Sequence, residues 1–469
     1  MTGDRVTLPS IAERLRSAEL TSRELVESVI RGSDGSDLGA VVSLRADEAL
    51  READQLDAAL RAGVPVGPLA GIPFLVKDLD DVAGMRTSHG SLWFEGAPPA
   101  TADSLVVRRL RAAGAIPVGK TNLPEFASEG FTDNPVHGVT RNPWDPELSP
   151  GGSSGGSAAA LSAGIAPIAT STDGGGSARM PAAFCGLVGM KPTNGLIGQS
   201  HVPDWIDFST DGVMTTTVPD LRLQLELIAG AVAGDDRALP TELPPARMPR
   251  RLIAADRTDD LGPLPAEVAE IFHTAVDELS ALLRIPVEWR TSDSFFAGGS
   301  PDNDWFTLAT AEHAHRWGRE RIDADAARLH PNTLEFFRAG LSVTVDEYIA
   351  ARRRRADYIR ELDEALHGDA LLLTPTVAVK GFSAHGSLGD GPEGLLPPSV
   401  YSTAIQNMTG LPALSLPAGS YSDGFPFGLQ LTGPRWSDRM LLDVEDLWER
   451  AFPWPQVAPG YEPFAGVGQ

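Results

Sequence analysis

Residues Ser149–Gly189, SPGGSSGGSAAALSAGIAPIATSTDGGGSARMPAAFCGLVG, constrain the fold more than any other part of the chain. Two glycine clusters that carry serines, Gly151–Ser157 and Gly174–Ser177, bracket a small apolar segment from Ala158 to Ala169. Glycine opens backbone shapes closed to other residues and lets other groups approach closely. A flexible Gly/Ser linker is the bland alternative. Linkers, however, are not usually followed by an apolar run and a second glycine loop. The expectation is therefore two loops delivered to one place by a tightly packed segment.

The remaining composition sets bounds. The 469 residues, 42% hydrophobic and 22% charged, describe an ordinary globular chain able to bury a large core. A formal charge of -24 argues against nucleic acid or an anionic membrane as a main partner. The N-terminal stretch MTGDRVTLPSIAERLRSAEL has no apolar core of the kind a signal peptide carries, and no run of about eighteen apolar residues occurs. Cys185 is the only cysteine, which excludes an intrachain disulfide. These features lead to the expectation of a cytoplasmic protein.

Of the 39 basic residues only Lys77, Lys120, Lys191 and Lys380 are lysines. Where arginine supplies the generic positive charge, a retained lysine suggests a task arginine cannot do, such as losing its proton. Lys77 ends the apolar run GIPFLVK, which reads as a strand carrying it inward. Burial without a counter-charge disfavours ammonium and makes a neutral amine accessible near pH 7. A Lys77–Asp78 surface pair is the competing reading.

Gly114–Thr121, GAIPVGKT, matches the P-loop pattern, but its context is wrong. A helix from Ser104 to Ala113 precedes it, Ala115–Val118 is strand-like, and Pro117 removes an N–H donor. Nucleotide binding through this segment stays as a runner-up.

Elsewhere, Thr21 and Glu24 form a capping box that opens a helix through Ile30. Leu44, Leu50, Ala53, Leu56 and Leu60 recur at helical spacing, closed by Gly63. Turns are expected at Asn142–Pro146 and Met190–Gly195, and a linker at Gly234–Arg251. Val268, Ile271, Ala275, Leu279 and Leu282 mark an amphipathic helix. Ala309–Leu366 is largely helical, with Arg352–Arg355 on a solvated face. Strands are expected at Ala370–Val379, Pro412–Leu416 and Phe427–Leu431, and Ser437 caps a last helix through Arg450. Helices and strands alternate, so the class is α/β.

Common catalytic motifs are missing. There is no H-E-x-x-H, His313 and His315 face different ways on a helix, and a Ser-His-Asp triad stays open, although no G-x-S-x-G elbow points to one. Cys185 reads as a core thiol. Serine chemistry with a lysine base remains. A hydroxyl is a weak nucleophile until a base takes its proton, and a desolvated lysine can do so. Consecutive backbone N–H groups beside the serine can hold an oxyanion.

The segments GIPFLVKD (71–78), GKTNLPEF (119–126), RNPWDP (141–146), PGGSSGGS (150–157), DGGGSAR (173–179) and FCGLVGMKP (184–192) occur in the order seen in the amidase signature family, which residues 70–220 resemble. Weaker likeness continues at Thr409–Ala413 and Phe427–Leu431. The resemblance implies one α/β domain over residues 1–469, a large mixed sheet with helices on both faces. Its signature core would span 70–220, and a more variable, substrate-shaping region 234–400.

It also implies roles. Ser177 would be the acylating nucleophile, Ser153 a serine held by a cis peptide after Gly152, and Lys77 the base. Backbone N–H groups of Gly174, Gly175, Gly176 and Ser177 would form the oxyanion hole. Ala127 would border the substrate, and Asp173, Arg179 and Ser154 would support the loops. The activity implied is hydrolysis of a small-molecule amide, with no metal or organic cofactor, no nucleic acid and no membrane; a homodimer is left open. An A subunit of a tRNA-dependent amidotransferase is the alternative within the family.

Three departures stand out. Gly174 replaces a bulkier residue, which points to a mobile loop or a wider acyl pocket. Leu79 replaces an asparagine. Gly198–Val218 follows the family poorly. Trp205, Phe208, Trp305, Phe306 and Phe337 are candidate pocket walls.

Overall fold

The computed structural model describes residues 5–238, 243, 245, 247–258, 263–291, 295–299, 301–387 and 402–464. Eleven strands are present in the described residues: β1 (Val41–Leu44), β2 (Pro73–Lys77), β3 (Ile116–Thr121), β4 (Thr170–Asp173), β5 (Val188–Lys191), β6 (Thr210–Thr215), β7 (Arg251–Ala254), β8 (Val287–Trp289), β9 (Ala370–Pro375), β10 (Ala413–Ser420) and β11 (Pro426–Thr432). They form a three-stranded sheet, β1-β3-β2, and an eight-stranded sheet, β4-β6-β5-β10-β11-β9-β7-β8. Both are mixed: β2 runs parallel to β3, and β7 parallel to β8 and β9, while the other pairs are antiparallel.

The sheets meet where the site lies. Leu75 of β2 bridges Ala169 in parallel, its N–H donates to Ile168 at 3.0 Å, and the Lys77 N–H donates to the Thr170 hydroxyl at 2.9 Å. The strand that ends at Lys77 is thereby fixed against the strand that ends at Asp173. A helix that is buried along its whole length, Gly155–Ser162, packs at this junction. It is built of glycine, alanine, serine and one leucine, and these small side chains let it sit among strands.

The helix Arg179–Phe184 lies flat on β5, β10 and β11. A Cβ on Gly189 would come within 2.5 Å of the Ala182 Cβ, and one on Gly428 within 2.5 Å of the Ala183 Cβ. Glycine on the strands and alanine on the helix therefore set its depth, and with it the height of Ser177 above the sheet. The long helices Ala266–Leu283, Pro301–Trp317 and Val345–Ala365 complete the mixed α/β architecture.

Several local expectations are corrected. Leu44 ends β1 and does not join the following helix, Ala46–Arg61, because its backbone pairs with β3. Met190 and Lys191 belong to β5, not to a turn, since they pair with β10. Gly114–Thr121 is no phosphate loop. Ile116–Thr121 is a strand paired on both sides, and the buried Lys120 ammonium donates to Asp78, the Asp80 carbonyl and Thr87. Arg352–Arg355 is not a purely solvated face. Arg352 pairs with Asp207, Arg354 grips Asp304 with two bonds, and Arg355 donates to the carbonyls of Met408 and Asp207. Ser437 precedes the last helix, Asp438–Ala451, without a side-chain cap bond, its hydroxyl being buried.

Gly189→Val overfills the contact with Ala182. The expected loss is about 3 kcal/mol of unfolding free energy, the upper end of ordinary overpacking, read from urea unfolding.

Candidate active site

The end of β2 places Lys77 among three hydroxyls. Its Nζ lies 2.7 Å from Ser153 Oγ, 3.0 Å from Ser154 Oγ and 2.8 Å from Thr172 Oγ1. Lys77 is fully buried and has no carboxylate at hydrogen-bonding distance among the described residues. Burial lowers its pKa to about 7, against the opposing pull of Asp80, Asp173 and Asp211. A neutral amine has two N–H donors and one lone pair. Three hydroxyl neighbours fit that count, with two accepting and one donating its proton to nitrogen.

The Gly152–Ser153 peptide is cis. Ser154 N–H donates to the Ser177 carbonyl at 3.3 Å, which ties the two glycine loops together. Ser177 is 6% exposed and borders two cavities. No hydrogen bond joins the Ser177 hydroxyl to Ser153 among the described residues, the Ser153 hydroxyl being turned to Lys77.

Asp173 and Arg179 hold the second loop. Asp173 accepts from the N–H of Gly176 at 2.8 Å and of Ala178 at 3.2 Å, and from Arg179 through Nε and an Nη at 2.9 and 2.8 Å. Burial pushes the Asp173 carboxyl up, but the Arg179 guanidinium outweighs it and holds the carboxyl below its usual range. Because Gly176 N–H is committed to Asp173, it is not available to an oxyanion. This corrects that part of the expected donor set. The N–H groups of Gly174, Gly175 and Ser177 take no partner among the described residues.

The glycines do not leave empty space above the loop. A Cβ on Gly174 would collide with the Trp205 ring, and one on Gly175 would lie 2.6 Å from Trp305. The expected mobile loop or wider pocket at Gly174 is therefore corrected: the tryptophan ring occupies the room that the missing side chain vacates. The Trp305 indole N–H donates to the Gly174 carbonyl at 2.8 Å and the Thr403 hydroxyl to the Gly175 carbonyl at 2.5 Å.

One cavity is lined by Ala127, Glu129, Gly175, Ser177, Trp205, Trp305, Phe306 and Phe336, with Asp302 and Met180. The other holds Ser153, Thr172, Ser177, Asp80 and Asp211. Burial and the Asp80 charge push the Asp211 carboxyl up to about 8. Phe208 and Phe337 are core residues away from both cavities, whereas Phe336, not foreseen, lines the first. Phe126 and Ala127 both take left-handed backbone angles, φ 52° and 59°. Such non-glycine strain persists only where the surroundings enforce it.

Sequence reasoning also missed Thr403, Gln406, Asn407 and Gln430, which accept from the Arg179 guanidinium at 2.9, 3.1, 2.7 and 2.8 Å. The one available signal was a glutamine inside the otherwise apolar run FGLQL. Among the described residues no three His, Cys, Asp or Glu side chains are grouped to hold a metal ion, and no helix is long and apolar enough to cross a membrane.

The family model described as Amidase matches residues 24–442. Among curated relatives, the A subunit of the glutamyl-tRNA(Gln) amidotransferase of Picosynechococcus sp. is 36% identical over 456 residues, covering 90% of this chain and 92% of that one. The putative amidase AmiA2 of Mycobacterium tuberculosis is 34% identical over 474 residues, covering 97% and 94%. Of solved structures, a bacterial aryl acylamidase of the amidase signature enzymes superposes with a TM-score of 0.86 at 27% identity, covering 96% of both chains. The 6-aminohexanoate cyclic dimer hydrolase superposes with a TM-score of 0.84 at 27% identity, covering 97% and 98%.

Lys77→Arg keeps the charge and cannot give it up. The expected result is a folded protein, by near-ultraviolet circular dichroism, that has lost activity by about 10³-fold or more; appreciable turnover would contradict the base assignment.

Proposed function

Because the chain belongs to the amidase signature family, enzymes that act on the carbon–nitrogen bond of amides, we propose that it hydrolyses a carboxylic amide through an acyl-serine intermediate. The observation that carries this reading is the 2.7 Å contact between a buried Lys77 amine and the Ser153 hydroxyl, with Ser177 on the adjoining loop.

In this route the Ser177 hydroxyl turns onto Ser153 and its oxygen attacks the amide carbon. The Ser177 proton passes to Ser153 Oγ as the Ser153 proton passes to the Lys77 lone pair. The carbonyl π pair becomes an oxyanion, held by N–H groups of Gly175 and Ser177, with Gly174 as a further donor; each such donor contributes about 2.7–4 kcal/mol in comparable sites. The carbon–nitrogen bond then breaks. The leaving nitrogen takes a proton from Ser153, which recovers one from Lys77. Water repeats the sequence on the acyl ester and releases the carboxylate.

Asp173 and Arg179 hold the donor loop, and Ser154 holds Lys77. Ala127 and residues of the 234–400 region, Asp302, Trp305, Phe306 and Phe336, shape the pocket beside Ser177. No metal or organic cofactor enters this route. The chain acts in the cytoplasm on a small amide, and a homodimer is compatible with it.

A second reading rests on the 36% identity to an amidotransferase A subunit, in which the same site would release ammonia for a partner. Acyl p-nitroanilides separate the two. The isolated chain is expected to release p-nitroaniline, and Ser177→Ala to release none. Glutaminase activity confined to a complex with copurifying chains would favour the amidotransferase instead. Ser153→Ala is expected to slow acylation by about 10²–10⁴-fold in single-turnover kinetics, the usual contribution of a positioned proton-transfer group. An unchanged rate removes Ser153 from the relay.

A further inference from the structure

Glu129 stands four residues after the buried Glu125 and lines the aromatic cavity beside Ser177. It is 8% exposed, and its Oε1 is sealed from solvent with no hydrogen-bond partner among the described residues. No described basic side chain pairs with it. Burial pushes its carboxyl up to about 8, and the only other influence, Glu335, pushes the same way. Buried polar atoms in native proteins are nearly all hydrogen-bonded, so a carboxyl on the cavity wall with an unpartnered oxygen behind it calls for a ligand at that wall.

The walls define that ligand. Trp205, Trp305, Phe306 and Phe336 surround the same cavity, and a second carboxyl, Asp302, lies on its lining. Aromatic faces attract cations through the ring quadrupole, most strongly when the cation is desolvated. Away from the backbone donors of Gly175 and Ser177, carboxyl groups and aromatic faces together suit an alkylammonium.

The cavity also has an assignable side of the reaction. The leaving nitrogen must reach Ser153, and Ser153 lines the other cavity, not this one. The acyl part therefore enters the aromatic cavity. We propose that Glu129 is a receptor for a primary ammonium on the acyl part of the substrate, so that the favoured amides are those of amino-terminated acids. The assignment of acyl side rests on the hydrolytic reading above; the ammonium receptor itself does not.

Calorimetric titration at about pH 9, above the raised Glu129 pKa of about 8 and with the amine still protonated, compares n-butylammonium with its neutral isostere n-butanol and tests the receptor without requiring turnover. The full chain is expected to bind butylammonium roughly 10- to 100-fold more tightly than butanol, the range of a charged hydrogen-bonded contact. Glu129→Gln, isosteric and checked by its thermal midpoint, is expected to level the two. Equal binding by the unmodified chain, or an unaltered ratio in Glu129→Gln, overturns the proposal.

The p-nitroanilides of hexanoic and 6-aminohexanoic acid give the second readout. The amino acyl substrate is expected to have the higher kcat/KM, chiefly through a lower KM, and Glu129→Gln to remove the advantage. A faster neutral substrate overturns the acyl-side assignment. Failure of both anilides, with the calorimetric preference intact, faults the hydrolytic reading while the receptor stands.

Discussion

The site depends on a lysine buried where its charge is not matched. Lys77 ends a strand fully enclosed by the core, and the groups within bonding reach of its Nζ are hydroxyls, which cannot neutralise an ammonium. Asp173 is nearby, but its oxygens are spent on Arg179 and on the backbone of its own loop. The Asp173–Arg179 pair shapes the loop that carries Ser177. A buried pair of this kind costs desolvation and is held only by additional hydrogen bonds, which Thr403, Gln406, Asn407 and Gln430 supply.

The other lysines sit in different settings. Lys77, Lys120 and Lys191 are all 0% exposed, whereas Lys380 pairs with Asp423 at the surface. Lys120 caps the loop that follows Lys77 by donating to Asp78, Thr87 and the Asp80 carbonyl. Lys191 donates to Pro192 and Asn194, and burial lowers its pKa to about 7. A compact ammonium with three donors fits such carbonyl-lined corners; a planar guanidinium would need more room.

Much of the site was legible in the sequence because it is local. The glycine loops and the inward strand GIPFLVK each lie within a short stretch, where composition and spacing carry the information, and the Asp173–Arg179 support was implied by the family resemblance of the same stretch. What was not legible comes from afar. Trp305 and Thr403 reach the glycine loop from more than 125 residues away, and Asn407 and Gln430 reach Arg179 from more than 225. Gly174 illustrates the difference. Read alone, a missing side chain implies space, but the fold fills that space with Trp205. Phe336 and Phe337 differ by one step on a helix, and only the packing tells which faces the cavity. Arg352–Arg355 looked like a charge run on a surface until Asp207, Asp304 and Met408 were brought to it.

The central claim is that Ser177 is activated by an amine whose proton is lost near neutrality, and the labelling rate of Ser177 by a fluorophosphonate across pH 5–9, followed by intact mass, tests it most directly. Burial lowers the Lys77 pKa to about 7, so the neutral, proton-accepting form gains as pH rises through that value. The account predicts a single adduct, absent in Ser177→Ala, whose rate climbs with pH and levels above about 8. A rate flat across the range, or equal labelling of Ser177→Ala, would contradict it.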